Sequence, residues 1–278
     1  MNLNKISVFA LTLILISSVL TAQKDLEIPE IKKFADILFQ EKDYLRAAIE
    51  YERYLYYADD QPDSVLFKLG LCHQMRQKYD YATKYFKKVM DIENSILSSQ
   101  ARQAYLYNLY KSGKFDSLKK IAKFDSSEVF YYYAACIHAD ENIEWQKFEL
   151  SEKQLTKFKQ LDSQRINKKE KSPLLAGILS AVIPGMGKIY LKRTGDGLYS
   201  LGLTGLSAAV TARAFIKDLV VTGVVGSGIT LTFYLGNIYG SYVGAKIYNK
   251  QLDKNFYADL ETLNPVNQNP YWEKWIEN

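Results

Sequence analysis

The chain has 278 residues, more than one compact core needs, so two structural units are expected. Its formal net charge is only +5, with Lys and Arg interleaved among acids, and no basic stripe marks a nucleic-acid-binding face. A mean hydropathy of -0.21 hides an asymmetry. Residues 24–171 are rich in Lys, Glu, Asp and Tyr, whereas 172–245 carry only Lys188, Lys192, Arg193, Asp196, Arg213, Lys217 and Asp218 as charges.

Residues 1–22 have the layout of a secretory signal: the cation Lys5, an apolar run from Ile6 to Ile16, and a close through Ser17, Ser18 and Ala22. Cleavage after Ala22 is expected, and retention as an uncleaved anchor is the alternative, since Leu20 is bulky for its position.

Residues 23–150 contain an internal repeat. Ala35, Leu38, Tyr44, Ala47, Tyr51 and Tyr54 recur as Gly70, His73, Tyr79, Ala82, Phe86 and Val89, each pair separated by 35 residues. In an antiparallel helix pair, a small residue on each helix permits close approach, which assigns Ala35 with Ala47 and Gly70 with Ala82. The aromatics Tyr44, Tyr51, Tyr79 and Phe86 then fill the space around the crossing. A degenerate third copy runs through Leu106, Leu109, Phe115, Leu118 and Ala122, and a fourth pair with Ala134, Ala135 and Trp145 is expected as a cap. These offsets resemble the tetratricopeptide family. The resemblance implies an α-solenoid whose concave face holds a peptide or protein partner.

Residues 151–171 read as a charged connector or the polar end of a long helix. Residues 172–249 read as a helical membrane module of three apolar blocks: Pro173 to Leu191, Leu198 to Ile216, and Leu219 to Ala245. The last two flank Lys217 and Asp218 and are expected to form a hairpin, with Arg213 reaching toward headgroups. Gly236, Gly240 and Gly244 lie four apart, on one helix face suited to helix contact.

The first block is interrupted at Pro184, Gly185 and Gly187, which fits a kinked, re-entrant or interfacial pair better than a straight span. Ser180, Pro184, Gly185, Gly187 and Tyr190 form a Ser-x-x-x-Pro-Gly-x-Gly-x-x-Tyr turn. It resembles a short membrane module of bacterial envelope proteins, of unassigned role. That module often has Gln after the second Gly and Gly two residues past the Tyr, where this chain has Lys188 and Lys192.

In the tail, residues 250–278, Phe256, Tyr257, Tyr271, Trp272 and Trp275 sit among charges, suited to the headgroup level or to folding back onto the repeats. If the first block lies in the interface, both tails share one side of the membrane; if it crosses, they do not.

No catalytic constellation, metal-ligand spacing or phosphate loop is legible, so neither enzymatic activity nor a cofactor is expected. His73 and His138 fall at packing positions, and Cys72 and Cys136 read as buried apolar residues. The sequence thus predicts an all-α chain, a tetratricopeptide-like solenoid followed by a membrane module. Its expected role is a non-catalytic protein-binding scaffold held in the inner membrane with repeats in the periplasm. A lipid-interaction, transport or assembly role centred on the module is the alternative.

Overall fold

The computed structural model describes residues 28–268 and 270–276; the expected export signal at 1–22 lies outside them. Every regular element among the described residues is helical. The chain divides into two units, residues 1–152 with 263–278, and residues 153–262.

The first unit is a succession of antiparallel helices. α1 (28–40) and α2 (Tyr44–Tyr57) form the first pair, α3 (Asp63–Met75) and α4 (Tyr79–Met90) the second, and α5 (Ser98–Lys111) and α6 (Phe115–Ile121) the third. α7 (Val129–His138) follows, and consecutive helices pack on one another. Ala35, Ala47 and Ala82 are fully buried at the crossings. A Cβ on Gly70 would come within 2.8 Å of the Phe86 ring. Close approach therefore falls where the repeat pattern puts its small residues. Tyr51 is buried beneath Phe39, and its hydroxyl donates to Asp36 at 2.5 Å.

The backbone carries the same period. Lys42, Gln77 and Gly113 all adopt positive φ (63°, 59° and 72°) at the turn inside each pair. Each is followed by an N–H that reaches back to the helix just ended: Asp43 to Leu38 O, Lys78 to His73 O, Lys114 to Leu109 O. That is the geometry with which a helix satisfies its last carbonyls before reversing. Only the third copy uses glycine there. The degenerate third repeat thus retains the turn although its small residues are lost.

The second unit begins with α8 (Glu152–Ile166), so most of the expected connector is helical, with Phe158 and Leu161 buried. α9 (Pro173–Val182) is capped by the Ser172 hydroxyl, with proline at its first position. α10 (Met186–Tyr190) is a single short helix, followed by α11 (Thr194–Ile216) and α12 (Val220–Thr262). α12 spans 43 residues, about 65 Å at 1.5 Å per residue. The expected boundary at residue 249 is therefore not a structural break. No Gly or Pro follows Gly244 until Pro265, and the helix continues until the chain prepares for that proline.

Candidate functional site

Within the second unit, the turn motif forms a junction of three helices. Ile183 is extended (φ −133°, ψ 114°), the conformation favoured before a proline, and ends α9 at Pro184. Gly185 then takes φ +88°, where a Cβ would stand 2.1 Å from the Gly197 carbonyl oxygen. At Gly187 a Cβ would stand 2.0 Å from Ala176 O, 2.7 Å from Ser180 Oγ and 2.8 Å from Ser241 Cβ. Gly187 is therefore the point where α10 meets the backbone of α9 and the Ser241 side chain of α12. Ser180 Oγ accepts from the Gly187 N–H at 3.0 Å and shares a 2.7 Å hydrogen bond with Ser241 Oγ. Tyr190 receives the Ser172 N–H on its hydroxyl at 3.2 Å, with the Lys171 ammonium 4.3 Å from its ring centre. All five motif residues thus hold the fold-back in place.

The two departures from the resembled module also have geometric roles. Lys188 donates to Ser200 Oγ at 2.5 Å. Lys192 adopts φ 63°, the left-handed conformation that glycine reaches without steric cost.

Other polar contacts extend this interior. Asn237 Nδ2 donates to Thr204 at 3.1 Å, Tyr234 OH to the Ala181 carbonyl at 2.6 Å, and Thr211 and Thr230 meet at 3.3 Å. α11 and α12 come together near their turn, where Thr211 faces Gly226 and Phe215 covers Gly223. Outward lie Leu206, Val210, Val221, Val224, Leu235 and others, half or more exposed. Two open grooves flank α12. One, of about 610 Å³, runs along α11 past Thr204, Ala208 and Tyr234; the other, of about 510 Å³, runs along α9 past Gly177 and Tyr242. Of the three glycines assigned to helix contact, Gly244 meets Leu191 at 3.0 Å from a Cβ position and Gly240 only the tip of Lys188 at 4.0 Å. A Cβ on Gly236 would meet nothing within 4 Å among the described residues, so this glycine makes no close helix contact there.

In the first unit, the aromatic tail packs against the repeats. Val266 and Tyr271 join their core, and Trp272 and Trp275 lie against it. Tyr271 donates to Gln74 Oε1, and the same oxygen accepts Asn108 Nδ2 at 2.6 Å. Phe67 lies 5.2 Å from Trp275, and Tyr107 lies 5.6 Å from Trp272, centre to centre. These receptors belong to α3 and α5, the first helices of the second and third pairs. Burial pushes the Tyr271 hydroxyl well above the ordinary tyrosine range. The sequence carried the aromatics but no signal that ranked this groove above the headgroup level.

His73 stacks on Tyr85 at 5.3 Å and Tyr81 at 5.5 Å, its Nε2 3.7 Å from the Glu52 carboxylate. Burial lowers its pKa, against the pull of Glu52. His138 stacks on Phe115 at 4.2 Å, and Cys72 and Cys136 are both buried.

No family model matches the chain, and no curated protein or solved structure matches it either. The tetratricopeptide likeness rests on the repeat spacing and the succession of helix pairs, and the module likeness on its turn residues.

Proposed function

We propose that the chain is a non-catalytic, protein-binding scaffold of the bacterial cell envelope, with the second unit in the inner membrane and the repeats in the periplasm. The observation that carries this reading is the inverted distribution of polarity in the second unit. Its interior contacts are made by Ser180, Ser241, Gly187, Asn237 and Thr204, while Leu, Val and Ile face outward. In water that arrangement would leave a large apolar surface unpaid, whereas in lipid it lets small and polar residues join helices. By length and composition, α12 is apolar enough over its first part to cross a bilayer.

The position of the tail favours one topology. Residues 264–275 pack on the repeats, so both lie on the same side of any membrane that residues 153–262 enter. The number of crossings is then even. α11, 23 residues long, pairs with the apolar part of α12 as a hairpin, and α9 with α10 is re-entrant. Arg213, Lys217 and Asp218 sit at the far turn. The part of α12 beyond Ala245 projects from the bilayer, since a hydrocarbon core takes only about 20 helical residues.

The two apolar grooves beside α12 favour a second reading, a module-centred role in lipid interaction, transport or assembly. Photo-crosslinkers placed in turn at exposed Tyr56, Tyr81 and Gln103 of the repeats, and at Tyr199 and Tyr239 of the module, separate the two. The scaffold reading expects polypeptide adducts from the repeat positions, in membranes that retain the protein through alkaline carbonate extraction. Adducts confined to the module positions overturn it in favour of the second reading; release by carbonate overturns both.

A further inference from the structure

The segment seated against α3 and α5 has the properties of a bound peptide. It follows the end of α12, and its described residues form two short helices, α13 (Pro265–Gln268) and α14 (Glu273–Ile276). Its contacts are concentrated in a few aromatic side chains, the pattern of an anchored ligand. Tyr271 is 8% exposed, with Phe67 and Tyr107 edge-on to its ring at 6.5 and 6.4 Å. Trp275 lies over Phe67, with the Lys68 ammonium 5.9 Å from its ring centre.

The groove floor does not depend on the segment for its polar order. Gln74 and Asn108 are both buried, and their mutual bond at 2.6 Å, with Asn108 Nδ2 also donating to Ala104 O at 2.7 Å, is made within α3 and α5 alone. A buried amide oxygen held ready in an apolar floor selects a ligand that brings a hydroxyl or N–H donor, and it discriminates against one that does not. Tyr271 supplies that hydroxyl.

The occupant also fits imperfectly. Asn108 Oδ1, an acceptor in the floor, and Trp275 Nε1, a donor on the segment, are both buried without a hydrogen-bond partner among the described residues. Leaving such groups unpaired on burial is costly. A peptide that satisfies either atom while keeping the two aromatic anchors binds better than the resident one.

We propose that the α3–α5 groove is a peptide-recognition site, that segment 264–275 is its resident intramolecular ligand, and that it admits a partner peptide carrying Tyr and Trp at the spacing of Tyr271 and Trp275. The inference rests on the scaffold reading and adds the partner's chemistry and the condition for its entry, departure of the tail. Held in cis, the segment competes at a high effective concentration, so the groove of the intact chain is closed to weak ligands.

The test uses the full chain in detergent micelles, with a specific protease site inserted between Thr262 and Leu263. After cleavage, a fluorescein-labelled peptide of residues 263–278 is added. Saturable uptake is expected, with at least tenfold weaker binding to the uncleaved chain and at least tenfold weaker binding of the peptide carrying Tyr271→Phe. Equal binding of the two peptides overturns the proposal, because a merely greasy surface would not read the hydroxyl. So does a cut tail that cannot be exchanged within a day, since it is then a fixed part of the fold. So does a cleaved chain of unchanged circular dichroism that loses its tail and takes up no peptide. Carbonate extraction of native membranes holding the same protein, cleaved before solubilisation, is read in parallel; retention in the membrane together with any of these failures refutes the groove assignment and leaves the anchoring standing.

Discussion

The two units solve the same packing problem with opposite chemistry. In the repeats, small residues such as Ala47 and Gly70 let helices approach, and the space around them is filled by large apolar groups, Phe39, Phe67 and Phe86 among them. In the second unit, small residues again bring the helices together, but the spaces are closed by hydroxyls and amides, and the large side chains are turned outward. Close approach is therefore common to both, and under the proposed membrane placement the solvent outside decides which side chains accompany it. Water drives apolar groups into the core of the first unit; where lipid is the solvent, no such drive distinguishes inside from outside, and geometry with hydrogen bonding must hold the helices.

That contrast breaks most sharply at Gly187. Replacing it with Ala drives a methyl group into the Ala176 carbonyl and the Ser180–Ser241 pair, so a loss of about 3 kcal/mol or more is expected, read as lowered thermal unfolding of the hairpin in micelles. The same change at Gly236, which meets nothing within 4 Å, is the control and should leave the transition within about 0.5 kcal/mol of the parent. Equal effects at both sites would remove the special standing of the junction.

A smaller effect sharpens the aqueous side of the comparison. Burial holds the His73 pKa below its ordinary value of 6.5. The unfolded chain therefore takes up a proton first as pH falls, so the stability tied to neutral His73 is complete above about pH 6.5 and is lost as pH drops through the folded value. Chemical denaturation from pH 7.5 to 5 should show the repeats weakening. His73→Leu, which installs the residue found at Leu38 in the first copy, should flatten that component of the profile. A slope unchanged by the substitution assigns the acid sensitivity to other groups.

The smallest expected change is a gain. Lys192 holds a left-handed backbone at φ 63°, and Lys192→Gly removes about 1 kcal/mol of that strain, raising the unfolding temperature of the hairpin. A lowered temperature would mean that the side chain, rather than the backbone, matters at this turn.

The repeats were legible because their period is written in residue size: a small side chain every 35 positions has one economical use in paired helices. Their turns were less so, because Lys42 and Gln77 occupy backbone conformations that glycine usually advertises, with only Gly113 doing so. The Pro184–Gly187 interruption announced a kink, but the reason for each glycine, an approaching carbonyl from Gly197 or Ala176, lies in residues distant along the chain. The length of α12 was hidden because composition changes at Lys246 while helix-forming tendency does not. Tyr271 and Trp275 were ambiguous for a physical reason: an amphipathic ring suits a headgroup layer and a half-polar groove equally well.

The bond between Gln74 and Tyr271 joins positions 197 apart in the chain. A ribosome releases α3 and α5 long before it releases their companion, and every residue of the second unit must be threaded in between. Throughout that interval Phe67 and Tyr107 stand without the rings that later cover them. Each molecule thus passes through a youth in which its groove is vacant, and only a chain translated through Trp275 is able to close it.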